Sequence, residues 1–114
     1  MLKEDVLRKR EDFNNLRKYG KSFGSAYVVL VVNNKKGQAL NRKAFLASKK
    51  VGNSVVRHRA VRLMKESFRQ IEKEKALKQG YDLLFIARPT IKDLKCADVK
   101  KSIEAAIRRA ALYQ

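Results

Sequence analysis

The sequence predicts an α+β domain in which helices pack on a small sheet. Three observations lead to that class. Ala26-Tyr27-Val28-Val29-Leu30-Val31-Val32 and Tyr81-Asp82-Leu83-Leu84-Phe85-Ile86-Ala87-Arg88 have the length and composition of central strands. Between them Val56, Ala60, Leu63, Met64, Ser67 and Ile71 recur on one side of a helix at ~100° per residue. The elements then read helix, two or three strands, helix, strand, helix, as in domains that lay helices on a sheet.

The opening 21 residues are charged, with Val6, Leu7, Phe13 and Leu16 as sparse apolar points. Phe13 and Leu16 share a helix face, and Gly20 after Tyr19 is a stop signal, so a short helix is expected over roughly 10–19. Lys21-Ser22-Phe23 suits a short edge strand. In the valine-rich run Tyr27, Val29 and Val31 fall on one face and Val28, Leu30 and Val32 on the other. Asn33-Asn34-Lys35-Lys36-Gly37 is turn chemistry. A second strand is expected over 43–49, around Phe45-Leu46-Ala47. Gly52-Asn53-Ser54 opens the long helix, with Asn53 or Ser54 as its cap. The charge-rich stretch 70–80 ends it at Gly80, and Pro89 stops the strand that follows. Val99, Ile103, Ala106, Ile107 and Ala110 mark an amphipathic C-terminal helix, approached through Ile91 and Leu94. Phe23, Phe45, Phe68 and Phe85 read as core. Without linker or repeat, the chain reads as one domain over 1–114.

Charge narrows the function. There are 28 Lys and Arg against 11 Asp and Glu, a formal net charge of +17 on 114 residues. Such self-repulsion is tolerable when a polyanion is the usual partner. Nucleic acid is the first candidate, an anionic membrane surface the second, acidic proteins the third. A hydrophobic fraction of 45% argues against wholesale disorder. No apolar run approaches the ~18 residues of a membrane span. Every apolar helix face is needed by the core, which disfavours a membrane-surface role. The first residues lack a signal-peptide stretch, and the lone Cys96 cannot form an internal disulfide; together they point to a reducing, cytoplasmic setting. One Cys and one His make no zinc cluster. Without a nucleophile–base set a stand-alone nuclease is disfavoured. The strand-rich first half disfavours a helix-turn-helix DNA binder.

The informative stretch runs from Lys49 to Arg69. Lys49, Lys50, Arg57, Arg59, Arg62, Lys65 and Arg69 are its cations, and Glu66 is its one acid. On a helical wheel His58, Arg62, Lys65 and Arg69 lie within roughly 60°, opposite the apolar side, flanked by Arg57 and Arg59. A solvated face ordinarily intersperses acids, because like charges at i and i+4 destabilise a helix. Guanidinium forks grip phosphate oxygens in pairs. Asn53 and the free amides at the helix start suit one further phosphate.

The same stretch resembles the signature of the bacterial ribonuclease P protein family. There a Lys-Lys-x-Gly-Asn-Ala-Val lead-in precedes an Arg-Asn-Arg-x-x-Arg core and a downstream Arg-Glu-x-Phe. Here the lead-in is Lys49-Lys50-Val51-Gly52-Asn53-Ser54-Val55, the core Arg57-His58-Arg59-Ala60-Val61-Arg62, and the tail Lys65-Glu66-Ser67-Phe68-Arg69. Glu11-Asp12-Phe13, Tyr19-Gly20, the valine-rich strand, Phe85-Ile86-Ala87-Arg88 and the terminal helix follow in the family's order. His58 stands where the family usually has Asn, and Val61 where Lys is common.

The resemblance implies an αβββαβα order on a mixed central sheet with a left-handed βαβ crossover, a fold shared with a domain of a ribosomal protein. It implies a subunit that binds a large catalytic RNA and the 5′ leader of precursor tRNA. The RNA then performs the hydrolysis with divalent metal, Mg2+ held mainly by the RNA, and no catalytic residue or obligate protein partner is expected of the chain. On this reading Lys49, Lys50, Asn53, Arg57, His58, Arg59, Arg62, Lys65 and Arg69 face the catalytic RNA. Phe13, Arg17, Tyr27, Val31 and Leu46 form a leader cleft, with Arg17 where the family often has a second aromatic. Ordinary core packing remains the alternative for Phe13 and Tyr27. Another small RNA-binding protein, such as a ribosomal protein, shares the charge and remains the alternative function.

Overall fold

A computed structural model describes residues 10–91 and 94–114. The expected apolar points Val6 and Leu7, with the rest of the first nine residues of the 1–114 domain reading, lie outside that range. In chain order the elements are α1 (Arg10–Tyr19), β1 (Lys21–Gly24), β2 (Val28–Asn34), β3 (Arg42–Leu46), α2 (Ser54–Glu74), β4 (Tyr81–Ala87), a 3-10 turn (Pro89–Ile91) and α3 (Cys96–Arg109). The sheet is mixed, in the order β1-β2-β4-β3. β2 pairs antiparallel with β1 and β4, while β3 and β4 run parallel, joined through α2.

The element boundaries shift for local reasons. β2 starts at Val28, because the chain bends at Ala26 and Tyr27. β3 ends at Leu46, short of the expected 49: Ser48 closes a turn by accepting the Val51 amide at 3.0 Å, and Val51 buries to 4% exposure. α2 stops at Glu74, where Lys75 turns extended. The charged stretch beyond it leaves the helix so that Leu77 can bridge to Tyr113.

Alternation gives the sheet two different faces. Val28, Leu30, Val32, Phe45, Leu83 and Phe85 face α2 and α3, meeting Ala60, Met64, Phe68 and Ile71 from one helix and Val99, Ile103 and Ile107 from the other. Phe45 stacks on Phe85 at 5.1 Å, and Phe68 tilts onto Phe85 at 4.7 Å. Phe23 is only partly buried against this core. The opposite face carries Val31, Ala44 and Leu84 beneath Leu16 of α1, with Phe13, Val29 and Ile86 partly covered. A single short helix cannot cover a four-stranded face, so a strip of that face stays open. At the corner between α1 and β1, a Cβ on Gly20 would press into the Leu16 carbonyl and the Val31 side chain, so only glycine lets the helix close onto the sheet there.

Candidate nucleic-acid interface

α2 starts where Asn53 Oδ1 accepts the Val56 amide at 3.1 Å. Of the two expected caps, Asn53 is therefore the one used. The cap engages its carboxamide oxygen, and the residue itself is exposed. Burial of Ala60, Met64, Ser67, Phe68 and Ile71 against the core turns the opposite side of α2 outward. His58, Arg59, Arg62, Lys65 and Arg69 are exposed on it, Arg57 is half-buried, and Lys49 and Lys50 stand exposed in the preceding turn. Side chains along this ridge, Arg59, Arg62, Lys65 and Arg69 among them, border a shallow hollow of ≈ 750 Å³.

The ridge is more internally braced than its sequence suggests. Arg59 donates to the Leu94 carbonyl at 2.7 Å, which ties it toward α3. Arg57 donates to Ser54 Oγ at 3.3 Å. Arg69 is the cation that an acid engages: Nε and Nη2 both donate to Glu66, at 3.2 and 2.8 Å. A spacing of three residues places the pair on one helix face. The hydrogen bond from Arg69, then that from Gln70, holds the Glu66 carboxyl below its ordinary value, and Glu66 in turn raises Arg69. His58, Arg62 and Lys65 have no hydrogen-bond or ion-pair partner among the described residues.

The second feature lies on the open strip beside α1. Phe13, Arg17, Val31 and Leu46 converge there around a groove of ≈ 290 Å³, with Leu16, Gly20, Ser22, Leu84 and Ile86 completing it. An adjoining hollow of ≈ 410 Å³ adds Arg10 and Asn14 to Phe13, Arg17 and Leu46. Leu46 is 41% exposed, unusual for a strand leucine, and Phe13 is half-buried. Tyr27 does not join them. It precedes β2 on the bend, its amide donates to Ser102 Oγ of α3 at 3.1 Å, and its side chain packs with the main core. Strand alternation, which grouped it with Val29 and Val31, does not extend into a bend. Leu84 and Ile86 were missed, although alternation within 81–87 already places them on the face opposite Leu83 and Phe85.

The 47–53 connection leads from Leu46, on the groove, to the first turn of the ridge helix. An apolar groove rimmed by arginines, together with a helix of outward cations on the same small domain, defines an RNA-binding α+β protein. The family model for Ribonuclease P matches residues 1–111, and the chain belongs to that family. A ribonuclease P protein component of Clostridium botulinum is 38% identical over 112 residues, covering 98% of this chain and 99% of the relative. That of Clostridioides difficile is 41% identical over 103 residues, covering 90% and 89%. The fold matches a Staphylococcus aureus RNase P protein structure with a TM-score of 0.83 at 27% identity, covering 96% of this chain and 98% of that one.

Proposed function

We propose that the chain is the protein subunit that binds ribonuclease P RNA through the α2 ridge and the 5′ leader of precursor tRNA through the α1 groove. The carrying observation is that one small domain presents both, joined by the 47–53 connection: exposed, largely unneutralised cations on α2 and an apolar groove with arginines at its rim. Duplex and folded RNA present phosphates, which suit the ridge. A single strand offers bases to an apolar surface and phosphates to flanking cations, which suits Phe13 and Leu46 with Arg10 and Arg17.

On this reading hydrolysis belongs to the RNA. Mg2+ supplies its divalent-metal chemistry, held mainly by RNA phosphates. The protein's best-placed carboxylates fit such an ion poorly, because Asp12 and Asp82 already flank the Arg42 guanidinium. The protein's part is to screen phosphate repulsion and to hold the leader. No helix among the described residues is long and apolar enough to cross a membrane, and the reading places the complex in the cytoplasm.

Reconstitution at low magnesium tests this. Added to ribonuclease P RNA, the purified chain is expected to raise precursor-tRNA cleavage well above that of RNA alone, and to cleave nothing by itself. No enhancement would favour a different RNA-binding role, such as a ribosomal one; cleavage by the chain alone would place catalysis in the protein.

A further inference from the structure

The strand register places Leu46 opposite Ile86, Ile86 opposite Val29, and Val29 opposite Gly24. These four positions form one row across the sheet, on the α1 face. The neighbouring row, Ala44, Leu84 and Val31, is buried under Leu16, but Val29 and Ile86 are only half-buried and Leu46 is exposed. The open row therefore runs from the groove at Phe13 to the far edge strand. Its far end is Gly24, and over it lies Arg88.

Arg88 continues the alternation of Asp82, Leu84 and Ile86, and its amide still donates across the ladder, to the Tyr27 carbonyl at 2.9 Å. Its side chain thus emerges on the groove's face. A Cβ on Gly24 would stand 2.5 Å from Arg88 Nη2, so the guanidinium occupies the space a side chain at 24 would fill. Arg88 is exposed and has no acid partner among the described residues, and Arg109 donates to the Gly24 carbonyl at the same corner. Three interstrand steps of ~4.8 Å separate this corner from Leu46. That span suits roughly the two or three bases a four-stranded sheet can present.

We propose that this row is a continuous track for single-stranded RNA, and that Arg88, laid flat because residue 24 is glycine, grips a phosphate at its far end. The track rests on the reading of the α1 groove as the leader site and extends it by one anchored nucleotide or more. Arg10 and Arg17 hold the near end of the strand, the apolar row carries its bases, and Arg88 supplies a bidentate fork where the strand leaves the sheet.

The assembled ribonucleoprotein tests the track with precursor tRNAs whose leaders are lengthened one nucleotide at a time. Wild-type affinity is expected to climb with leader length and then level off. Arg88→Gln should follow that climb for the first nucleotides and then fall short, by about tenfold at full length, the effect of one charge-assisted contact. The shortfall should vanish for mature tRNA. Gly24→Ala, which displaces the guanidinium without removing it, should give a smaller loss of the same pattern, and Arg88→Lys should rescue only part. Phe13→Ala should flatten the climb from its start. A normal Phe13→Ala response with a silent Arg88→Gln, or an Arg88→Gln loss equal at all lengths and on mature tRNA, overturns the track alone. A wild-type profile indifferent to leader length, or to Phe13→Ala, overturns the groove reading beneath it.

Discussion

Arg42 bridges two carboxylates: its Nη2 donates to Asp12 Oδ1 at 2.9 Å and its Nε to Asp82 Oδ1 at 3.0 Å. The three residues come from α1, β3 and β4, so one guanidinium ties the groove helix to the sheet. Asp82 is fully buried and also accepts from Gln38 Nε2. Hydrogen bonding to Asp82 is the first cause of the raised Arg42 pKa. Removing the cation strands two acids, one without access to water. Arg42→Met is therefore expected to destabilise the fold by about 3–5 kcal/mol, the range for breaking a buried pair. Urea denaturation measures it; a loss below about 1 kcal/mol would mean that the bridge is ornamental. Asp12 Oδ2 is buried without a hydrogen-bond partner, so Asp12→Asn should cost far less than Arg42→Met.

Phe13 sits one residue from that bridge and forms the wall of the groove. Phe13→Ala is expected to weaken binding of leader-bearing precursor by about 5- to 100-fold, the range for one base–aromatic stack. Mature tRNA should be bound as before. Equilibrium binding of both RNAs to the assembled complex reads the difference, and an unchanged preference for the precursor contradicts the role.

Much of this arrangement was legible in the sequence. The α2 side that buries was readable because Ala60, Met64, Ser67 and Ile71 repeat at the helical period, and its outward cations followed by subtraction. The faces of β2 followed from alternation. Tyr27 misled because a period of two holds only while the backbone stays extended, and residues 26–27 bend. The Arg42 bridge was not legible: its partners are 30 and 40 residues away, and no local pattern pairs a strand arginine with a particular acid. The Glu66–Arg69 pair had the right spacing, yet sequence alone does not say whether Glu66 turns to Arg69 or to solvent.

Tyr113 supplies a test at alkaline pH. Burial first, then the nearby Glu104 charge, raises its phenol above the ordinary value, and its hydroxyl is buried without a hydrogen-bond partner. The folded state therefore keeps the proton to higher pH than the unfolded chain. The stability this lends is complete below the unfolded value of about 10 and is lost as pH rises through the folded one. Ultraviolet titration should show one tyrosine ionising later than the rest, and Tyr113→Phe should remove it. The same substitution deletes an unsatisfied buried hydroxyl, so near neutral pH it should be neutral or slightly stabilising; a marked loss of stability would contradict the unpartnered hydroxyl.

The cap at Asn53 fixes where the cationic helix begins. Asn53→Ala is expected to cost about 1 kcal/mol and to weaken RNA binding modestly through fraying of the first turn. Thermal melting checks the first effect. A loss of RNA affinity larger than that of Arg57→Gln would instead give Asn53 a direct contact of its own.

The salt dependence of affinity for ribonuclease P RNA tests the ridge most directly. Each phosphate contact contributes about 0.7 to 0.9 to the slope of log affinity against log salt. Replacing Arg57, Arg59 and Arg62 together by Gln should flatten that slope by roughly two to three. Replacing Lys100 and Lys101 should flatten it far less, because Lys100 is already held by Glu74. Equal flattening from the two sets, or an unchanged slope in the triple variant, would contradict a catalytic-RNA interface on α2.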